Sequence, residues 1–138
     1  ADPGADIIKL AHKKGIKVVP LVGPSSIVLS IMASGLNGQN FAFNGYLPID
    51  KIERSRRIKE LEQLASKFKQ AQFFIETPYR NGTIFEELLK TLQPSAFLLV
   101  ATNITLGDEC ISVKPISAWK KEEIPNFYKK PTVFGIYI

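Results

Sequence analysis

The fold class is indicated first by one stretch of sequence, Lys17-Val18-Val19-Pro20-Leu21-Val22-Gly23-Pro24-Ser25-Ser26. Its β-branched run predicts a strand, and Pro20 belongs at the end of that strand because proline cannot donate to a sheet ladder. Gly23 lets the chain turn, and the hydroxyl of Ser25 or Ser26 can cap the apolar helix that follows. We therefore expect a strand–turn–helix corner at a sheet edge. Ligands bind at such corners in open α/β sheets, although most corners only connect.

Length and composition suit one domain with a real core, since the chain has 138 residues and is 45% hydrophobic. A net charge of +5 only weakly favours anionic partners such as nucleic acid. A single cysteine, Cys110, excludes a disulfide within the chain, and a single histidine, His12, speaks against a zinc site. We therefore expect no metal, no membrane partner and a reducing, cytoplasmic compartment.

The first residues predict a helix that starts abruptly. Asp2 is suited to cap it, Pro3 fits its first position, and Gly15 is suited to end it. One face of this helix carries Ile7, Leu10 and Ala11. Because a natural chain rarely begins on a helix cap with no preceding strand, we expect the sequence to be part of a longer protein.

Hydrophobic periodicity and turn residues divide the rest of the chain into alternating elements. After a helix that ends at Gly35, strands are expected over 41–47, 72–76, 97–102, 109–114 and 131–138. Helices are expected over 55–68, from Thr77-Pro78 or from a capping box at Thr83 and Glu86, and as a short turn over 116–120. The buried stripes expected of the two longer helices are Ile58, Leu61, Leu64, Ala65 and Phe68, and Ile84, Phe85, Leu88, Leu89 and Leu92. The early strands, separated by helices, should be parallel, and the last two should pair antiparallel. The fold class is therefore α/β, with a mixed open sheet and flanking helices.

Polar residues at the strand ends are the main candidates for chemistry. The sequence has no Gly-rich dinucleotide motif after a strand, no P-loop and no Gly-x-Ser-x-Gly elbow. What remains are three groups: Ser25 and Ser26; Glu76, Thr77 and Arg80; and Thr102, Asn103 and Thr105. These groups fit one shared cleft, and they equally fit three ordinary capped corners.

A basic cluster crowds the start of the helix expected over 55–68. Its members are Lys51, Arg54, Arg56, Arg57 and Lys59. Cations at a helix start oppose the helix dipole, at a cost of a few tenths to about 1 kcal/mol each, so helix stability does not explain them. An anionic partner would explain them. The alternative is a solvated, salt-bridged face, because Glu53, Glu60 and Glu62 lie nearby.

Four ordered motifs resemble those of the tetrapyrrole (corrin/porphyrin) methylase superfamily. They are Asp2-Pro3-Gly4, Val19-Pro20-Leu21-Val22-Gly23-Pro24-Ser25, Phe43-Asn44-Gly45-Tyr46-Leu47-Pro48 and Phe74-Ile75-Glu76-Thr77-Pro78-Tyr79-Arg80. They look closest to the branch that methylates a ribose 2′-hydroxyl in small-subunit ribosomal RNA. The resemblance implies two α/β domains, a homodimer, and S-adenosylmethionine bound between the domains. Residues 1–35 would end the first domain and lead into the second, residues 36–138 would form the C-terminal domain, and the N-terminal domain would be missing.

The same resemblance implies roles for individual residues. Contacts to S-adenosylmethionine are expected at Pro24, Ser25, Ser26, Thr77, Ala101 and Thr102. Methyl transfer to a hydroxyl needs alignment of two substrates and removal of a proton. Glu76 is the candidate base, Arg80 the candidate clamp for a phosphate or carboxylate, and Arg54, Arg56 and Arg57 the candidate RNA contacts.

One segment departs from the ribosomal branch. That branch usually shows an Arg-Glu pair and a Thr-Lys pair after the strand that matches 97–101. This chain has Thr102-Asn103-Ile104-Thr105-Leu106 there, so three charged side chains are absent. Three hypotheses therefore stand: a ribose methyltransferase of RNA, a methylase of tetrapyrroles or other small molecules, and a non-catalytic RNA-binding or scaffold domain.

Overall fold

The computed structural model describes residues 4–127 and 129–138. Its strands are β1 (Phe41–Tyr46), β2 (Ala71–Glu76), β3 (Phe97–Thr102), β4 (Cys110–Pro115) and β5 (Thr132–Tyr137). Its helices are α1 (Ala5–Lys13), α2 (Ser26–Ser34), α3 (Lys51–Phe68), α4 (Asn81–Thr91) and α5 (Ile116–Trp119). The α/β class with a mixed sheet is confirmed. The predicted cap at Asp2 and Pro3 lies outside the described residues.

The strands form one sheet in the order β1-β2-β5-β3-β4. Strands β1 and β2 pair in parallel, as expected, whereas β5 is antiparallel to both β2 and β3, and β4 is antiparallel to β3. The prediction that the last two strands pair with each other is wrong. Strand β5 is buried along almost all of its length and takes the centre, while β4 is only half-buried and takes an edge.

Helices cover both faces of the sheet. On one face, α3, α4 and α5 pack on a core that includes Phe74 and Phe134, whose rings stack with centroids 5.5 Å apart. On the other face, Ile31 of α2 packs over Phe73 and Leu99. Most of the expected buried stripes of α3 and α4 are confirmed: Ile58, Leu61, Ala65, Ile84, Phe85, Leu88 and Leu92 are buried.

Two helices begin at residues other than those predicted. Helix α3 begins one turn early because the Asp50 carboxylate accepts hydrogen bonds from the N–H groups of Ile52 and Glu53, both at 2.9 Å. Helix α4 begins at Asn81, so neither predicted start is correct. The preceding residues form a turn instead, in which the N–H of Arg80 donates to the carbonyl of Thr77.

The strand expected around 17–22 does not form. This segment pairs with neither sheet edge, and Leu21 and Val22 are almost fully exposed. The apolar face of α1 is also exposed, since Ile7 and Leu10 keep 72% and 53% of their accessible surface. A strand needs a hydrogen-bonding partner, and without one the predicted corner reduces to a turn followed by α2.

A buried ion pair ties α3 to α4. The Nε of Arg54 lies 2.7 Å from the Oε2 of Glu87, and both side chains are less than a tenth exposed. The hydroxyl of Ser55 donates to the other Glu87 oxygen at 2.9 Å, and Arg54 Nη1 donates to the Ile49 carbonyl at 2.7 Å. Each charge is therefore paired and hydrogen-bonded, which is what a buried charge requires.

Replacing Glu87 with glutamine should lower the free energy of unfolding by about 3–5 kcal/mol, because it leaves the Arg54 charge buried without its counterion. Urea denaturation of the 138-residue chain measures this. The matched control is Glu86→Gln on the same helix, since Glu86 forms only a loose, exposed pair with Lys90 at 3.5 Å. The control should change stability by less than about 1 kcal/mol. Equal effects of the two variants would contradict this account of the pair.

Candidate functional site

A cavity of about 420 Å³ opens at the sheet end where β2 and β3 finish and β5 begins. Strand β5 brings these ends together, since Thr132 pairs with Glu76 on one side and with Thr102 on the other. The first residue of α2, Ser26, completes the wall. The remaining lining is mainly apolar, so the cavity combines a nonpolar body with a few polar groups, as ligand sites usually do.

The cavity brings together five of the residues expected at the site: Ser26, Glu76, Thr77, Ala101 and Asn103. Three other expected contacts are not part of its wall. Pro24 and Ser25 are exposed, and the Ser25 hydroxyl caps α2 by accepting from the N–H of Val28 at 3.5 Å. Thr102 is buried, and its hydroxyl donates to the Cys110 carbonyl at 3.2 Å.

Several lining residues had no role in the interpretation of the sequence. Tyr46 reaches the cavity at an irregularity of β1, where Gly45 adopts φ +65° and the pairing with β2 shifts register. In the sequence, the Asn44-Gly45 dipeptide was the feature that could have indicated this irregularity of β1. Pro131 and Thr132 reach the cavity because β5 lies between β2 and β3, a long-range pairing with no local signal.

Glu76 is a buried carboxylate in the cavity wall. Its Oε1 accepts a hydrogen bond from the N–H of Thr77 at 2.7 Å. Its Oε2 lies 3.2 Å from Arg80 Nη2, without the geometry of a hydrogen bond, and has no hydrogen-bond partner among the described residues. Arg80 also donates to the Pro48 carbonyl at 3.3 Å. Arg80 is not among the residues that line the cavity, and its guanidinium group lies beside the Glu76 carboxylate and supports it.

The three arginines expected to contact RNA differ in their surroundings. Arg54 is buried and engaged by Glu87, so its expected role as an RNA contact is corrected to a structural one. Arg57 is one-third exposed and bonds to Asn44 and Glu60, at 2.9 Å and 2.7 Å. Arg56 is exposed and borders a groove of about 600 Å³ with Lys59 and Lys90. Two of the three arginines therefore remain accessible to an anionic partner.

Within residues 4–127 and 129–138, no group of three or more His, Cys, Asp or Glu side chains is arranged to hold a metal ion. No helix in that part of the chain is long and apolar enough to cross a membrane.

Comparison of the sequence with known proteins finds relatives of one kind, although no family model matches. The chain is 30% identical to ribosomal RNA small subunit methyltransferase I of Buchnera aphidicola, over 98% of this chain and 47% of that protein. It is 30% identical to the Pasteurella multocida protein of the same name, over 99% and 48%, and 29% identical to that of Vibrio cholerae, over 85% and 39%. The chain thus spans less than half the length of these relatives.

Comparison with solved structures finds the same fold in other methyltransferases. The methyltransferase CobJ superposes with a TM-score of 0.57 at 17% identity, over 96% of this chain and 57% of that one. The cobalt precorrin-4 methyltransferase CbiF superposes with a TM-score of 0.58 at 16% identity, over 98% and 58%. Sequence relatives along most of the chain and this shared fold agree with the four ordered motifs. The resemblance to the tetrapyrrole methylase superfamily is therefore confirmed.

Proposed function

We propose that this chain is the C-terminal part of an S-adenosylmethionine-dependent methyltransferase that methylates a ribose 2′-hydroxyl of small-subunit ribosomal RNA. The observation that carries the proposal is the sequence similarity to ribosomal RNA small subunit methyltransferase I along almost the whole chain. The five residues that the sequence and the cavity have in common support it: Ser26, Glu76, Thr77, Ala101 and Asn103. The protein is proposed to act in the cytoplasm as a homodimer.

In this proposal, residues 1–35 end one domain and residues 36–138 form the next. The exposed apolar surface of the first part supports this division. Ile7, Leu10, Val19 and Leu21 each keep more than half of their surface accessible, which is costly unless another structure covers them. The cofactor site would lie between the two domains, and the 138-residue chain alone would be inactive.

The cavity is chemically suited to S-adenosylmethionine. That molecule joins a flat adenine ring and short methylene groups to hydroxyl, amine and ammonium donors, and the cavity offers apolar walls with a buried Glu76 oxygen that accepts no hydrogen bond. Ser26, Thr77 and Ala101 would hold it directly. Pro24, Ser25 and Thr102 stay in the proposal as neighbours of the cavity, with Thr102 limited to its backbone because its hydroxyl is already bonded to Cys110.

The chemistry is a direct displacement, for which S-adenosylmethionine supplies an electrophilic methyl carbon when bound. The ribose hydroxyl would have to be aligned with that carbon and to lose its proton as it is methylated. Glu76 is the proposed acceptor of that proton, because it is the buried carboxylate of the cavity wall. Arg80 would hold Glu76 in position, and its partial exposure of 29% also leaves it able to meet a phosphate.

The proposed RNA contacts are Arg56 and Arg57, on the outer surface of α3. Two grooves of about 600 and 270 Å³ share Arg56, and Lys59 and Lys90 add further positive charge to the larger one. Such a surface suits a phosphate backbone, because each contact between a cation and a phosphate releases condensed counterions.

A second candidate function is methylation of a small molecule. The cavity wall contains no lysine or arginine among the described residues, and the segment Thr102-Asn103-Ile104-Thr105-Leu106 is uncharged. An apolar, cation-poor site favours a small substrate over RNA. The non-catalytic alternative would be favoured by a blocked cavity, and an open volume of about 420 Å³ argues against it.

The isolated 138-residue chain should bind S-adenosylmethionine negligibly, while the full-length protein should bind it clearly. Each hydrogen bond lost with the other domain costs about 0.5–1.5 kcal/mol, so losing several weakens binding by orders of magnitude. Titration calorimetry on both proteins tests this. Tight binding by the isolated chain would refute a site shared between two domains.

Ser26→Phe should abolish S-adenosylmethionine binding by the full-length protein and leave its melting temperature nearly unchanged. Ser26 is exposed at the start of α2, so a phenyl ring there fills the cavity without disturbing the core. The matched control is Met32→Phe on the same helix, since Met32 is 74% exposed and outside the cavity wall. Normal cofactor binding by Ser26→Phe would mean that the start of α2 only links two segments of the chain and does not contact the cofactor.

Changing Arg56 and Arg57 together to glutamine should weaken binding of ribosomal RNA and flatten its dependence on salt by roughly one to two units. Filter binding over a range of salt concentrations measures the slope, and cofactor affinity should be unaffected. The matched control changes Lys120 and Lys121, two exposed cations elsewhere on the chain, to glutamine. An unchanged slope in the arginine variant, or equal slopes in both variants, would favour a small-molecule substrate.

A further inference from the structure

Tyr46 reaches the cavity because β1 contains an extra residue just before it. Phe43 pairs with Phe73 and Tyr46 pairs with Ile75, so two residues of β1 stand opposite one residue of β2. Side chains alternate between the faces of a strand, so a regular β1 would place Tyr46 on the face opposite Phe43. The β-bulge at Gly45, with φ +65°, instead brings Tyr46 to the face of Ile75, which also lines the cavity.

Hydrogen bonds on both sides of β1 hold this bulge in place. The Nδ2 of Asn44 donates to the Phe73 carbonyl of β2 at 3.2 Å and to Gln72 Oε1 at 3.1 Å. The Oδ1 of Asn44 accepts from Arg57 Nη2 of α3 at 2.9 Å. The place of Tyr46 is therefore set by bonds that do not involve its own side chain.

The Tyr46 side chain is accessible to a ligand. It keeps 56% of its accessible surface, whereas Ala101 and Val133 in the same wall are buried. A ring that is more than half exposed adds little to the stability of the core, so packing does not explain why a bulge directs it to the cavity. An exposed aromatic ring beside a ligand cavity suits a flat group that can stack on it.

The turn after β1 joins the cavity to a positively charged surface. Tyr46 lines the cavity, and Pro48, two residues further, lines the groove of about 270 Å³. Arg56 belongs to that groove and to the larger groove of about 600 Å³, whose wall has three cations and one carboxylate. The other two cations are Lys59 and Lys90. The positive surface therefore extends from α4 across α3 to the turn beside Tyr46.

This combination is typical of surfaces that bind single-stranded nucleic acid, where a cationic groove follows the phosphates and aromatic rings stack on bases. Base-paired RNA does not fit the cavity, because a volume of about 420 Å³ is that of a small-molecule site and a double helix cannot enter it. A ribose hydroxyl enters only with a nucleotide whose base has left its pair and its stack. Unstacking is costly, and stacking on an aromatic side chain offsets part of the cost.

We propose that Tyr46 is a substrate-binding residue whose ring stacks on the unpaired base of the nucleotide that is methylated. The inference rests on the proposed function, and it narrows the substrate to a nucleotide in a single-stranded or flipped-out state. Stacking accounts for three observations together: the bulge at Gly45, the exposure of the Tyr46 ring, and the positive surface that ends beside it.

The first test compares the KM for small-subunit ribosomal RNA among variants of the full-length protein. Tyr46→Leu keeps an apolar side chain but removes the ring, so KM should rise about tenfold or more. Tyr46→Phe keeps the ring and should stay within about twofold of wild type. Neither variant should change the affinity for S-adenosylhomocysteine in calorimetry. The matched control is Phe41→Leu, which removes a 43% exposed ring at the other end of β1, outside the cavity wall, and should keep the wild-type KM.

The second test needs no variant. Wild type is first used to map the methylated nucleotide, and a DNA oligonucleotide is then annealed across it. Methylation should be lost, because a paired base is not free to stack on Tyr46. A control oligonucleotide that anneals to a segment away from the mapped nucleotide should leave the rate unchanged.

Several results would overturn the inference. Full methylation of the annealed site would do so even if Tyr46→Leu failed to fold. An unchanged KM in Tyr46→Leu would mean that the ring does not bind the substrate, and an equal rise in Tyr46→Phe would assign the effect to the hydroxyl. A matching loss of cofactor affinity would make Tyr46 a cofactor contact. If the full-length protein methylates no ribosomal RNA, the proposed function and this inference are overturned together, whereas the other results overturn the inference alone.

Discussion

The insertion of β5 between β2 and β3 is the constraint on which the rest of this structure depends. It places the ends of β2 and β3 on either side of Thr132, and the cavity forms where those three strand ends meet. The central position also requires a small residue where the second helical layer approaches. A Cβ on Gly135 would stand 3.1 Å from the ring of Phe73 and 3.3 Å from Leu36, so glycine there lets the layer containing α2 pack onto the sheet.

Elements that depend on local pattern could be predicted from the sequence. The 3.6-residue spacing identified the buried faces of α3 and α4, and Gly35, with φ +65°, ends α2 as expected. The place of β5 could not be predicted, because burial on both faces shows that a strand is central and does not say which strands flank it. The strand predicted over 17–22 was wrong for the opposite reason. Its β-branched composition is real, but a strand exists only where an edge is available to pair with it.

In the candidate site too, the residues set by local pattern could be predicted and those set by long-range packing could not. Ser26, Glu76, Thr77 and Ala101 could be anticipated, since they stand at the ends of elements that the pattern located. The surroundings of Thr102 could not be anticipated, because its hydroxyl donates to the Cys110 carbonyl of β4, a pairing between strands that no local pattern indicates. In the basic cluster, charge alone could not separate Arg54 from Arg56. The helix carries Arg54 inward to Glu87 and leaves Arg56 on the surface, so burial decides which cation is free.

One carbonyl oxygen, that of Pro48, links the helix pair of the core to the side of the cavity. Pro48 O accepts from Arg54 Nη1 and from Arg80 Nη2, both at 3.3 Å. Arg54 belongs to the buried pair between α3 and α4, and Arg80 lies against the Glu76 carboxylate. Two guanidinium groups with different anionic partners thus converge on the turn after β1, whose last residue, Tyr46, also lines the cavity. This turn is therefore fixed by Arg54 of the helix pair, and it in turn fixes one side of the site. That link gives the buried charges of Arg54 and Glu87 a structural role.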